Sequence, residues 1–335
     1  MLYPLTFRPI FKERIWGGRK LEELYHKPLP PGVPIGESWE LSDRPGDVSV
    51  IANGPLAGKD LHWLGEHHQS ELLGSTKLEA GRFPLLIKLL DAREKLSLQV
   101  HPPASKAAAL SGEPKTEMWY VADAAPDAEL YVGLKKGVSR VEFERRIRDG
   151  SVARCFQRVP VRAGDAMFLP SGRIHAIGSG LVIFEIQQNS DTTYRVFDWN
   201  RLGLDGKPRQ LHVAQSLESI NFDDFEPGLA PAQYLTHGRL RSRNLVRDPL
   251  FTVDAVTAPA GEPIPLNRPE MKILGLVKGG LKLNAGQTAL ELNAGQFCLL
   301  PASVPVEAKT EVGCTLLVVY PGTGERPSDR KARSW

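Results

Sequence analysis

Apolar residues along this chain fall into short runs separated by breaks. Residues 48–51, 85–90, 166–169, 181–186, 273–277 and 316–320 are such runs, each bounded by Gly, Pro or Asn-Gly signals. Short runs with this punctuation predict strands, and many of them in series predict sandwiches or barrels. Helical spacing is rarer. Residues 60–74 place Leu61, Leu64 and Leu72 on one stripe, and residues 138–150 place Val141, Phe143 and Ile147 where they can pack behind a Ser139 cap. A third helix is predicted over 211–220. The expected class is mainly β, with a few short helices.

Pro227-Gly228-Leu229-Ala230-Pro231 reads as a linker, and a second β-rich stretch runs from about Leu235 to Tyr320. A unit over 1–230 and a second over 231–335 are therefore expected, with a small helical segment near 138–156 inside the first. A chain of 335 residues can bury two sizeable cores.

Composition narrows the function classes. The 42 basic and 39 acidic residues leave a formal charge of +3, which gives no argument for a nucleic-acid or membrane partner. The basic run at 326–333 is expected to be a solvated tail. Cys155, Cys298 and Cys314 are far apart and odd in number, without metal or redox spacing, so buried thiols in a reduced, cytoplasmic protein are expected. The first residues lack the basic-then-apolar form of a signal peptide, and no run has the length of a membrane span.

The densest chemistry lies in Leu96-Ser97-Leu98-Gln99-Val100-His101-Pro102. On a strand, Gln99 and His101 point to one face. Glu117, in a run with Trp119 and Tyr120, and His175 complete a Gln/His/Glu/His set without thiolate. Such a shell suits Zn²⁺, Mn²⁺, Fe²⁺ or Co²⁺ in a site that keeps room for substrate. Glu185 and Gln187 alternate with Phe184 and Ile186, so both polar groups share a face, with Asp191 and Arg195 in the loop beyond. Lys88, inside Leu85-Leu86-Ile87-Lys88-Leu89-Leu90, is a cation that needs an anion from the protein or a ligand. The remaining histidines have no partner at metal spacing and receive no role.

The run from Gly164 through Pro170 and Gly172 to His175 resembles the second motif of cupins, with Ser179 where that motif usually has Asn. A fainter copy runs from Gly295 through Pro301 to Val306; Ser303 replaces the second glycine, and Val306 stands where His175 stands. Two cupin-type jelly-roll units are expected, one with a metal site and one without.

Several further runs resemble type I mannose-6-phosphate isomerase (phosphomannose isomerase) in its short bacterial form. They are Ile15-Trp16-Gly17-Gly18, Gly36-Glu37-Ser38-Trp39-Glu40-Leu41, Phe83-Pro84-Leu85-Leu86-Ile87-Lys88, Lys115-Thr116-Glu117-Met118-Trp119-Tyr120 and Ser190-Asp191-Thr192-Thr193-Tyr194-Arg195. The resemblance implies a zinc-dependent interconversion of mannose 6-phosphate and fructose 6-phosphate through a cis-enediol. It implies Gln99, His101, Glu117 and His175 as metal ligands, Arg195 as the active-site arginine, and Lys115, Glu185 and Asp191 as other active-site groups. Glu185 and Lys115 are the acid/base candidates, Asp191 an orienting group for Arg195 or sugar hydroxyls. Ser97, Lys88 and Lys115 are candidates for the phosphate and Gln187 for substrate contact. A sugar phosphate is the expected partner of a monomer or weak homodimer. The competing readings are a non-catalytic sugar-sensing metal cupin and another cupin enzyme, a dioxygenase or an epimerase.

Overall fold

The computed structural model describes residues 1–266 and 269–322; the basic run at 326–333 lies outside the described residues. Strands dominate, arranged as two cupin-type units. In the first, a six-stranded antiparallel sheet runs in the order Ile10–Gly18, Ile35–Leu41, Leu85–Ala92, Leu181–Gln188, Glu117–Ala124, Ala166–Leu169. A five-stranded sheet orders Tyr194–Phe197, Leu98–Val100, His175–Ile177, Glu129–Leu134 and Phe156–Pro160. The two sheets share one apolar cluster, in which Leu90, Trp119 and Val121 of the larger sheet meet Leu130, Val132 and Ile177 of the smaller.

The second unit is a nine-stranded curled sheet built on Lys272–Ala285. That long strand pairs with Phe297–Leu300 and Cys314–Pro321 along its first half, and with Thr288–Asn293 and Glu307–Lys309 along its second. Its interior is aliphatic, from Val256 and Leu274 to Leu316 and Val318.

Side-chain alternation explains how the units meet. Leu85, Ile87, Leu89, Met118, Phe184 and Ile186 leave the six-stranded sheet on its outer face. There they pack on Phe251, Val253, Ile273, Leu299, Leu317 and Val319 of the second unit. The intervening residues Lys88, Trp119 and Glu185 point inward. With both faces covered, every residue of Leu85–Ala92 is buried, which is why that strand reads as a nearly continuous apolar run. The N-terminal segment also crosses between the units, as Leu5 pairs with Leu299.

The helices depart from expectation in detail. The 60–74 stretch is divided at His68 into Leu61–His67 and Gln69–Leu73, with Asp60 accepting from the Trp63 N–H at 2.8 Å. Ser139 caps Arg140–Arg148 as predicted, and Phe143 is buried, but Val141 is 76% exposed. At 3.6 residues per turn, a position two before Phe143 lies on the opposite side of the helix. The third helix is Val213–Ser219; Leu211 lies outside it and is exposed. The three cysteines are free and buried.

Candidate active site

Gln99 and His175 are direct neighbours across the five-stranded sheet, and His101 follows one residue after Leu98–Val100. Glu117 faces them from the start of its strand in the six-stranded sheet. The His101 Nδ1 lies 2.7 Å from the Thr192 carbonyl, and the His175 Nδ1 lies 2.9 Å from the Arg173 carbonyl. A carbonyl accepts only, so each ring carries its proton on Nδ1 and presents a bare Nε2. Those Nε2 atoms stand 3.4 and 3.3 Å from the two oxygens of Glu117. All three side chains are buried, and their ligand atoms lie within 4.8 Å of one another.

This is a cluster of acceptors facing acceptors. His101 Nε2 and both Glu117 oxygens make no well-aligned hydrogen bond, although Lys115 Nζ stands 3.0 Å from Glu117 Oε2. Burial and the charge of Lys115 push the His101 imidazole down, against Glu117; burial takes that of His175 down to about 3. Burial acts upward on Glu117, but Lys115 and the two imidazoles outweigh it and hold the carboxyl well below its ordinary range. Two neutral imidazoles and a carboxylate fit a divalent cation, and a buried acceptor set of this kind is costly without one. Gln99 stands beside them with its amide nitrogen 3.3 Å from His175 Nε2; turning the amide over would present its oxygen instead.

A second group lies beside the first. Trp39, Lys88, Glu185 and Trp119 are cross-strand neighbours in one row over four strands. Lys88 Nζ sits 3.5 Å from Glu37, 3.6 Å from Glu185 and 3.7 Å from Asp191. Trp119 Nε1 donates to Glu185 and Trp39 Nε1 to Glu37. Burial and the charge of Glu117 raise the Glu185 carboxyl, against Lys115, Lys88 and Trp119. Burial also acts upward on Glu37, but Lys88, Arg14 and Trp39 outweigh it and bring that carboxyl to about 2. Burial acts downward on Lys115, but Glu117, Glu185 and Asp191 outweigh it and keep the ammonium protonated.

A cavity of about 570 Å³ opens over both groups. Ser97, Lys88, Gln99, Lys115, Glu185, Asp191 and Arg195 line it, all named from sequence. His101, Glu117 and His175 are not among the residues that line it. Two of the residues named from sequence make contacts within the protein. Gln187 shares the inward face with Glu185, but it is fully buried away from the cavity and its amide donates to the carbonyls of Gln188 and Ser190. Asp191 pairs with Lys88, and among the described residues it forms no ion pair with Arg195.

Sequence reasoning missed Glu37, Arg14, Trp16 and Arg209, which also line the cavity. Glu37 sits on Ile35–Leu41, a strand buried at every position, so a buried carboxylate near the unpaired cation of Lys88 was the available signal. Arg195 donates from Nη1 to the Gln210 carbonyl at 2.8 Å, while its buried Nε has no partner. Burial and Arg209 lower the affinity of Arg195 for its proton. The cavity is thus carboxylate-rich at the Glu37–Glu185–Asp191 end and guanidinium-rich along Arg195 and Arg209.

Known proteins resemble this chain over most of its length. Residues 5–145 match the family described as phosphomannose isomerase type I, catalytic domain. The mannose-6-phosphate isomerase of Bacillus subtilis is 36% identical over 89% of this chain and 93% of its own length. That of Streptococcus mutans is 35% identical over 91% and 94%. The crystal structure of the Bacillus subtilis mannose 6-phosphate isomerase superposes with a TM-score of 0.87 at 32% identity, covering 95% of this chain and all of that one. The apo mannose 6-phosphate isomerase of Salmonella typhimurium, 18% identical with a TM-score of 0.71, shares the fold.

Proposed function

This chain belongs to the type I phosphomannose isomerase family, and from that premise we propose that it interconverts mannose 6-phosphate and fructose 6-phosphate in the cavity of its first unit. One zinc ion is assigned to Gln99, His101, Glu117 and His175. The observation that carries this is the pair of bare imidazole Nε2 atoms converging on an ionised, buried Glu117. When bound, such a cation supplies Lewis-acid stabilisation for charge developing on sugar oxygens.

The chain's own residues divide the remaining work. The reaction moves a proton between C1 and C2. Glu185, buried and raised, is the group suited to take and return it. Lys115, held protonated, serves as a hydrogen-bond donor rather than a base. Lys88 among three carboxylates is poorly placed for a phosphate dianion; it instead holds Glu185 and Asp191 in position. The phosphate is assigned to the guanidinium-rich side, with Arg209 and Ser97. Arg195, the cross-strand neighbour of Gln99, is placed to stabilise the enediolate oxygens. Gln187 orders the turn at 188–190 that carries Asp191 into the cavity.

We also retain a unit boundary near residue 230, a monomer or weak homodimer as the working form, and a cytoplasmic setting without nucleic-acid or membrane partners. No helix among the described residues is long and apolar enough to cross a membrane. A coupled assay tests the function. Turnover of mannose 6-phosphate that chelator abolishes and zinc restores is expected, with mannose and glucose 6-phosphate far poorer. Activity that survives full metal removal would contradict the reading.

A further inference from the structure

Between Arg195 and His212 the chain leaves the five-stranded sheet and returns to it. The base of this excursion is stapled twice: the Arg195 N–H donates to His212 Nδ1 at 3.2 Å, and the His212 N–H donates to the Arg195 carbonyl at 2.7 Å. Within it, Trp199 and Asn200 both take left-handed backbone angles, with φ of 58 and 56°. Two such residues in succession are uncommon without glycine. Arg201 follows them, and Arg209 arrives from the far side of the Leu202–Pro208 bridge. Both arginines end on one carboxylate. Asp198 is 5% exposed; its Oδ1 accepts from Arg201 Nη2 at 2.8 Å, and its Oδ2 accepts from Arg209 Nε at 2.7 Å. Arg209 Nη2 donates to Asp198 Oδ1 as well.

Arg209 lines the cavity and Asp198 does not. A guanidinium carries its donors in one rigid plane, so engaging one edge fixes where the other edge points. We propose that Asp198 is a positioning residue that fixes the plane of Arg209 at the cavity mouth and so sets the affinity for the phosphate end of the substrate. This inference rests on the assignment of the phosphate to Arg209. Without the Asp198 contact, Arg209 has to be ordered at the moment of binding, which weakens association. Loss of the carboxylate also leaves the mouth more positive, which acts in the opposite direction. The sign of the net effect therefore separates positioning from simple charge balance.

The test is steady-state kinetics with mannose 6-phosphate, together with competitive inhibition by inorganic phosphate. Asp198→Asn is expected to raise KM and the phosphate inhibition constant in parallel by about tenfold, with kcat changed less than about threefold. Asp198→Glu, which restores the carboxylate, is expected to recover most of the loss. Arg209→Ala is expected to raise KM, and adding Asp198→Asn to it to raise KM no further, because the residue being positioned is gone. If Asp198→Asn does not fold alone, the double variant compared with Arg209→Ala carries the same test. An Asp198→Asn enzyme with unchanged or lowered KM overturns the proposal, as does a further tenfold rise in the double variant. An Arg209→Ala enzyme with unchanged KM would instead remove the phosphate from Arg209, and the underlying assignment with it.

Discussion

At corresponding points of the two units, His175 and Val306 are both buried, at 1% and 2% exposure, in opposite surroundings. Each ends a run that begins with Gly and turns at Pro, at 164–175 and 295–306. Around His175 stand Gln99, Glu117 and His101, and beyond them Lys88, Glu185 and Glu37. Around Val306 stand aliphatic side chains such as Ile264, Leu283 and Ala308. Glycine and proline set the backbone path in both units, while a few inward positions decide whether the interior does chemistry or packs. The polar interior needs a partner for every buried charge, and its sheet is covered on the outer face by the second unit. The aliphatic interior needs no such compensation.

The most severe way to break this comparison is His175→Val, which gives the first unit the residue of the second. Metal content and isomerase activity should fall to background while the circular dichroism spectrum is kept. Retained activity would remove His175 from the site. Arg195→Lys should keep metal and fold but lose about 10² to 10³ in turnover, because lysine keeps the charge without the planar fork. A raised KM at unchanged kcat would mean that Arg195 binds the ground state equally well.

The reverse exchange, Val306→His, sharpens the comparison from the other side. It should create no second metal site and should leave kcat intact, because its surroundings are mainly aliphatic and the pocket it lines adds only His237 and Glu307 as ligand-type groups. Burying an unpaired imidazole should cost about 1–3 kcal/mol in urea denaturation. A stability equal to wild type would mean that the second interior tolerates polarity after all.

The smallest expected effect concerns pH. Asp91 is 1% exposed, and burial raises its carboxyl from 3.8 to about 6, against the Lys20 N–H and ammonium. The folded protein therefore binds a proton there more tightly than the unfolded chain. The stability this contributes is fully present below pH 3.8 and is lost as pH rises through about 6. Asp91→Asn should lack this decline, so the difference in Tm between variant and wild type should widen between pH 4 and 7. Parallel curves would contradict the raised value.

The convergence of Gln99, His101 and His175 was legible because strand alternation puts Gln99 and His101 on one face, and because the Gly–Pro–Gly frame directs His175 inward. Lys88 was legible as a cation that demanded an anion. Its anion Glu37 was not assigned, because that pairing joins positions about fifty residues apart across neighbouring strands. Asp198, Arg209 and His212 were missed for a related reason: their roles arise from a loop closing on itself, and no periodicity signals that. The Thr192 carbonyl, which fixes the His101 tautomer, is a backbone group and carries no residue-type signal. Gln187 shows what alternation does not carry. Alternation gave its face but not its depth, and at that depth its amide nitrogen donates to the carbonyls of Gln188 and Ser190.

Metal stoichiometry tests the central claim most directly. Elemental analysis of the purified chain should give one divalent metal per chain, and the His101→Ala variant should give almost none while it remains folded. Two metals per native chain would contradict the contrast between the units. One metal retained by His101→Ala would contradict the placement of the site.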